Sequence, residues 1–398
     1  MRSLLLRHRS VRRPTMFPRA IVVHLGIAYA ALFVGGLLDN ARGPLLPDMI
    51  AELQITDQEA SLFFAVAALM SIAGSLLAGP TLQRVRTVVA LRYVLGCVML
   101  GYWGVAFGTH YAIIVLGNGL YGIGMGANHV ILNIMVAQAA PVKTRARHLN
   151  FLHVMYGLAS LSAPMVIIGL RGAGAGWRMT FLLLTLLPVP VILAGLRDRL
   201  PCRREPSVNA IMAPLPWWNA WRHPAARYYA VLLGLYVSAE LAVSMWLVLY
   251  VTRLRIADPA KANLFLSYFF CMMTAARFGA AIFLRTERYR TLLACAAGGG
   301  IVALLWGIYG HPVGLVLAAA PMGLFFPLCF ASLSHEVTAH LEVVTSWVMC
   351  TVFVVIAAGQ FMMGWLSDHY SIAVAMHLPV VLLILVSLLL LMRHPRAQ

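Results

Sequence analysis

Charge is what this 398-residue chain has least of: 11% of its residues are Asp, Glu, Lys or Arg, and only 13 are acids. A soluble domain carries about 25% charged residues, so a chain that is 61% hydrophobic cannot wrap a single core in a water-facing surface. Lysine is nearly missing, with Lys143 and Lys261 alone among 30 basic residues. The formal charge of +17 sits in short Arg-containing interruptions between apolar runs, not on one hydrophilic face, which argues against nucleic acid as a partner. Cysteine is sparse: Cys97, Cys271, Cys295, Cys329 and Cys350 fall inside apolar runs and Cys202 in a basic loop. No secreted disulfide framework is expected from them, and the five read as packing residues.

Motifs of soluble enzymes are lacking as well. No P-loop, CxxC or Ser/His/Asp arrangement occurs, which excludes ATP-driven transport within the chain. Gly117 to Gly122 spell GxGxxG in letters only, since no strand precedes them. His335-Glu336 with His340 resembles a zinc-protease motif, but histidines five apart stand about 140° apart around a helix, so no metal site is expected. The chain is not expected to be an enzyme or to carry a cofactor.

Long apolar runs are what the sequence has. Bounded by charges and Gly/Pro clusters, they give spans at 20–46, 59–82, 88–107, 111–138, 148–170, 177–196, 227–252, 262–284, 291–310, 312–334, 343–366 and 371–392, each about the 20 residues that cross a bilayer as a helix. With the amino terminus inside, 23 basic residues fall in cytoplasmic segments and five outside, namely Arg171, Arg178, Arg253, Arg255 and Lys261. That asymmetry supports the count and places both termini in the cytoplasm. The expected fold is all-α, with twelve transmembrane helices in two six-helix bundles. Residues 1–19 form a basic tail, 20–196 the first bundle, 197–226 a cytoplasmic linker, 227–392 the second bundle and 393–398 a short tail. The linker's Trp217, Trp218 and Trp221 beside Arg222 read as an interfacial segment or a simple headgroup anchor. Residues 1–15 offer no apolar face, so a start at Met16 is a further expectation, and the tail's arginines read as a cytoplasmic tail rather than a transit peptide.

An ionisable group near the centre of a span costs about 2.5–3.5 kcal/mol or more, so those retained must face protein or a wet cavity. The candidates are Asp39 and Arg42 in span 1, His129 in span 4, Glu240 in span 7 and Arg277 in span 8, with Asn118, Asn128, Asn133 and Gln360 as neutral polar groups. Asp39 and Glu240 lie on the first helix of each half, where both can border a cavity between the halves. Glu240 has no charge within ten residues, so it needs either a neutral form that exchanges a proton or a partner from another span. Asp39 and Arg42, three apart, can pair, or Arg42 can hold an anionic solute. His129 can carry protons or serve as a hydrogen-bonded structural residue. Gly122 and Gly126 form a GxxxG packing face.

Several stretches carry a family resemblance: GIGMGANHVILNIMVAQ at 122–138, RARHLNFLHVMYGLASLSAP at 145–164, LYVSAELAVSMW at 235–246, AARFG at 275–279 and GLFFP at 323–327. With the two-times-six layout, the chain resembles the major facilitator superfamily and, within it, the fucose permease-like sugar–proton symporters. The resemblance implies an alternating-access secondary transporter of a small polar solute, proton-coupled and importing, with drug or metabolite efflux and a non-transporting sensor or scaffold as alternatives. It implies a monomer, a bacterial inner-membrane location, and solute, protons and lipid as partners. Asp39, His129 and Glu240 would carry protons or bind solute, and Arg42, Asn128, Asn133 and Gln360 would contact it. Departures accompany the likeness. The family's gate between spans 2 and 3 holds an acid where this chain has Gln83, between Gly79 and Arg84, with Arg277 the corresponding structural arginine of the second half. His129 stands where sugar-coupled relatives hold a proton-accepting Glu, and Gly43 where they hold a span 1 acid, with Asp39 one turn earlier.

Overall fold

The computed structural model describes residues 18–141, 144–197, 221–222, 224–283, 288–337 and 341–393. Most of the expected linker (198–220 and 223), with Trp217 and Trp218, and most of both tails lie outside the described residues; Trp221 and Arg222 are exposed. Fifteen helices follow one another and, among the described residues, no strand. They are α1 (Pro18–Leu53), α2 (Asp57–Arg84), α3 (Thr87–Phe107), α4 (Tyr111–Ala139), α5 (Arg145–Gly172), α6 (Trp177–Leu184), α7 (Pro188–Leu196), α8 (Pro224–Arg253), α9 (Pro259–Phe283), α10 (Tyr289–Tyr309), α11 (Val313–Leu317), α12 (Ala319–Glu336), α13 (Leu341–His369), α14 (Ile372–Ala375) and α15 (Leu378–Met392). Among the described residues, eleven stretches are long and apolar enough to cross a membrane, and the 25-residue α9 makes the twelfth crossing. In hydrocarbon every backbone amide must be bonded within the structure, and the helix is the one open-ended element that does this.

Fifteen helices make twelve crossings because three crossings are broken, each by proline chemistry. Proline has no N–H to return to the carbonyl four residues earlier. Pro188 and Pro190 separate α6 from α7, Pro321 follows the break at Ala318 between α11 and α12, and Pro379 follows the one between α14 and α15. Other prolines are absorbed. Helix α1 runs straight through Pro44 and Pro47 to Leu53, beyond the end expected at residue 46, and Arg171 donates to the Pro44 carbonyl at 3.4 Å. The added turns carry Asp48 and Glu52, which pair with Arg171 and Arg178.

Helix ends are capped where the chain leaves them open. Thr56 accepts from Glu59 N at 3.1 Å and Glu59 returns a carboxylate to Thr56 N at 2.8 Å, a reciprocal capping box that starts α2. Asp258 accepts from Lys261 N at 2.9 Å ahead of Pro259, the first residue of α9, and that backbone bond, with the Lys261 ammonium, holds its carboxyl below the usual carboxylate range. Two of the five described cysteines depart from expectation: Cys271 and Cys295 are exposed, so they are not core packing residues.

The expected GxxxG face is the closest helix contact of the first bundle. A Cβ on Gly122 or Gly126 would be driven into the backbone carbonyls of Ala67 and Ser71 on α2. The approach lets Ser71 Oγ and Ser75 Oγ donate to the carbonyls of Gly122 (3.0 Å) and Gly126 (3.1 Å). Across the bundles, α1 packs on α8, α2 on α13 and α5 on α9. Gly126→Ala should therefore force α2 and α4 apart and destabilise the purified protein by about 1–3 kcal/mol, the usual cost of overpacking. Gly119→Ala, whose Cβ would meet only the Val66 and Met70 side chains at 3.3 and 3.5 Å, should shift the thermal unfolding midpoint far less. Equal midpoints for the two variants would show that the α2–α4 contact is not set by backbone approach.

Candidate functional site

A cavity of about 550 Å³, counting its open mouth, lies where α1, α2, α4, α8 and α13 converge. Each helix contributes one stripe at helical spacing: Asp39 and Arg42 from α1, Phe64, Ala67 or Ala68 and Ser71 from α2, Tyr121, Met125 and His129 from α4, Leu241 and Met245 from α8, and Phe353, Ile356 and Gln360 from α13. Both bundles therefore form its wall.

Asp39 is held from three directions. Its Oδ1 accepts from Arg42 Nη2 at 2.5 Å and from the Tyr121 hydroxyl at 3.0 Å, and its Oδ2 accepts from the Tyr156 hydroxyl at 2.7 Å. The Arg42 guanidinium lies over the Tyr121 and Phe64 rings, at 4.6 and 5.4 Å from their centroids. Its Nη1 is buried and has no hydrogen-bond partner. Across the cavity, Gln360 accepts from Trp246 Nε1 at 2.9 Å, and its own Nε2 is likewise buried without a partner. His129 lies against the Tyr156 ring, 6.0 Å between centroids.

Glu240 is not part of the cavity wall. It precedes Leu241 in the helix, and one residue rotates the side chain by about 100° away from the Leu241–Met245 stripe. Its carboxylate instead meets Arg277 of α9 at 3.4 Å and accepts from the Tyr236 hydroxyl at 2.5 Å. Arg277 also donates to the Gly323 carbonyl at 3.1 Å, and the Tyr236 hydroxyl reaches the Met322 carbonyl. The partner from another span that Glu240 requires is thus Arg277, expected as an ionisable residue of span 8 and as a gating or structural-motif arginine. His153 of α5 lies within electrostatic reach of His129 and Arg277.

The other expected polar residues are placed differently. Asn128 is fully buried one residue off the His129 stripe, with both side-chain polar atoms unpartnered and Gly35 of α1 close by. Asn133 and Asn118 donate back to their own helix, to the His129 and Ile114 carbonyls at 2.8 and 2.9 Å. Gly79, Gln83 and Arg84 lie exposed at the end of α2. Gly43 leaves no room for a side chain, since a Cβ there would stand 3.0 Å from the Met245 carbonyl of α8. Sequence reasoning missed Tyr121, Tyr156, Trp246 and His153. Tyr121 was within reach of it, lying two turns before His129 on the same face.

The face of the bundle opposite the termini is sealed by charge. Asp57 at the start of α2, 2% exposed, is gripped by both Arg253 terminal nitrogens from the end of α8, one at 2.6 Å, and by the Ser367 hydroxyl. Asp368 at the end of α13 accepts from Asp57 N at 2.8 Å and Gln58 N at 2.7 Å, so a carboxylate of one bundle caps the positive end of a helix in the other.

Two helical bundles meeting around a polar mid-depth cavity, closed on one face by ion pairs, define a multi-pass membrane protein built for secondary transport. The chain belongs to the Major Facilitator Superfamily, whose family model matches residues 28–344. Its structure is similar to a D-xylose-proton symporter (TM-score 0.79, 14% identity, 94% of this chain and 98% of that one). It is similar to the nucleoside transporter NupG (0.76, 12%, 93% and 99%) and to the E. coli fucose:proton symporter FucP (0.64, 15%, 95% and 100%). At such identities the likeness is one of fold. Curated protein sequences give no match.

The seal joins one bundle to the other, so weakening it should let this face open. Arg253→Gln removes charge-assisted bonds worth about 1–3 kcal/mol from the closed face, enough to shift a two-state ratio about 5–150-fold. Spin labels at the exposed Ala51 and Tyr370 should then show a longer distance population by double electron–electron resonance. An unchanged distribution would mean that the Asp57–Arg253 contact does not hold the face shut.

Proposed function

We propose that this chain is a proton-coupled importer of a small polar solute, working in a bacterial inner membrane as a monomer. Its two moving units would be residues 20–196 and 227–392, joined by a cytoplasmic linker over 197–226, rocking about the central cavity. The observation that carries the reading is the pair of acid–arginine contacts at mid-depth, Asp39 with Arg42 and Glu240 with Arg277, one anchored on the first helix of each unit. A static scaffold has no use for four ionised groups in hydrocarbon at the cost they carry. With 23 basic residues on the terminal side, the sealed face is external and the described conformation is the one closed to the outside.

In such a cycle a proton on Glu240 neutralises the partner of Arg277, and the arginine keeps only its bond to the Gly323 carbonyl. Loss of one cross-helix ion pair favours the alternative packing of α8 on α9. His129 on the cavity wall and His153, within electrostatic reach of His129 and Arg277, are the titratable groups that would relay protons between the two pairs in this cycle. Asn128, Asn133 and the Gly79, Gln83 and Arg84 gate region support this reading as packing and hinge positions around α2 and α4, not as solute contacts.

Reconstituted into liposomes with an imposed proton gradient, the protein should concentrate its solute. Glu240→Gln, which keeps the Tyr236 hydrogen bond but cannot ionise, should lose gradient-driven accumulation while retaining solute exchange. If accumulation in Glu240→Gln still follows the proton gradient, Glu240 has no part in coupling.

A further inference from the structure

The cavity's hydrogen-bond inventory is one-sided. Both Asp39 oxygens are taken by Arg42, Tyr121 and Tyr156. The Tyr121 hydroxyl hydrogen goes to Asp39, and that of Ser71 is shared between the Ala67 and Gly122 carbonyls at 2.8 and 3.0 Å. The Gln360 carbonyl oxygen is taken by Trp246. What remains unmet in the wall is a pair of buried N–H donors, Arg42 Nη1 and Gln360 Nε2. Arg42 is 9% exposed and Gln360 1%, so neither donor has bulk water to satisfy it, and a buried donor without an acceptor is expensive. The two stand on opposite bundles, on α1 and α13. The rest of the wall is mostly hydrocarbon and aromatic, including Phe64, Met125, Phe353 and Ile356.

A polyhydroxyl solute asks a site for an acceptor at each hydroxyl hydrogen, whereas the two buried wall groups with no partner are both donors. A group that only accepts, with two oxygens set apart, answers both donors at once. We propose that the cavity binds a small amphipathic monocarboxylate, its two oxygens bridging Arg42 Nη1 and Gln360 Nε2 and its hydrocarbon part lying against the apolar wall. The inference rests on the transporter reading for its biological sense, but the binding itself can be tested without transport. The guanidinium supplies the charge and the planar fork that matches a carboxylate. Because one donor comes from each bundle, an occupied site draws α1 and α13 together, which is how a bound solute would favour closure around itself.

The probes are benzoate and butanoate, with benzamide and D-xylose as uncharged counterparts, measured against the purified full-length protein at fixed pH and ionic strength by calorimetry and by the shift in unfolding temperature. Benzoate and butanoate should bind and raise the midpoint, while benzamide and D-xylose should not. Gln360→Glu keeps the oxygen that accepts from Trp246 and replaces the donor by a second carboxylate oxygen, so it should weaken benzoate binding by at least about tenfold. The double variant Asp39→Asn with Arg42→Gln leaves no unpaired buried charge and should abolish binding, its own unfolding transition reporting that it is folded. The proposal is overturned if neither carboxylate binds, if benzamide or D-xylose binds as tightly, or if Gln360→Glu leaves benzoate affinity unchanged. Benzoate binding without gradient-driven benzoate uptake in liposomes would uphold the site and refute the transporter reading; xylose binding with uptake would do the reverse.

Discussion

The expense of an unpaired ion in hydrocarbon is the constraint from which the rest of this structure follows. Asp39 cannot stand alone at mid-depth, so Arg42 comes three residues later on the same helix and two tyrosines reach in from α4 and α5. Glu240 has no such neighbour on its own helix, and its arginine arrives from α9, 37 residues away. Each arrangement fixes helices relative to one another: α1 with α4 and α5 in the first bundle, α8 with α9 in the second. The ionised groups are structural clasps before they are anything else, and whatever chemistry they perform must be done while their partners are rearranged.

The same constraint makes the closed face a switch instead of a wall. Asp57 is buried because Arg253, Ser367 and the backbone of α2 are all satisfied in this conformation. Separating the bundles there would expose Asp57, Arg253 and Asp368 together to water, which repays much of what the contacts provide. A seal of apolar residues would offer no such return, and would close more firmly but open less readily. Small residues assist: Gly364 of α13 lies against the Asp57 carbonyl and the Ser61 side chain, so the two helices meet at backbone distance and can part without unlocking large side chains.

Twelve crossings and their order were legible because they depend on runs of apolar residues, a local property. The Gly122 and Gly126 contact was legible for the same reason. Proline misled the reading at the end of α1, where the helix runs on past Pro47 to Leu53 and its added turns carry Asp48 and Glu52, which pair with Arg171 and Arg178. The site was half legible. Asp39 with Arg42 shows as an i, i+3 pair, but Glu240 with Arg277 is a tertiary meeting that no spacing announces. Glu240 was expected to border the cavity because its depth was right; its azimuth is wrong by one residue, and depth alone cannot tell the two apart. Asn133 bonds to its own helix, which a polar residue in a small-residue stretch does when no neighbour offers a partner.

Fold similarity to carriers of sugars and nucleosides does not decide what this cavity holds, because specificity is a matter of which wall atoms are left unsatisfied. The position where the resemblance places an acid in sugar-coupled relatives is Gly43 here, and the Met245 backbone of α8 occupies the space a side chain would need. This chain's carboxylate stands one turn earlier, at Asp39, where it is already engaged: Oδ1 accepts from Arg42 and Tyr121 and Oδ2 from Tyr156. With glycine at position 43, α1 and α8 approach at backbone distance, and the carboxylate at Asp39 is held by Arg42, Tyr121 and Tyr156 before any solute arrives. Close packing at Gly43 and an acid placed elsewhere on α1 go together, since a helix face cannot both touch its neighbour's backbone and carry a side chain into the space between them.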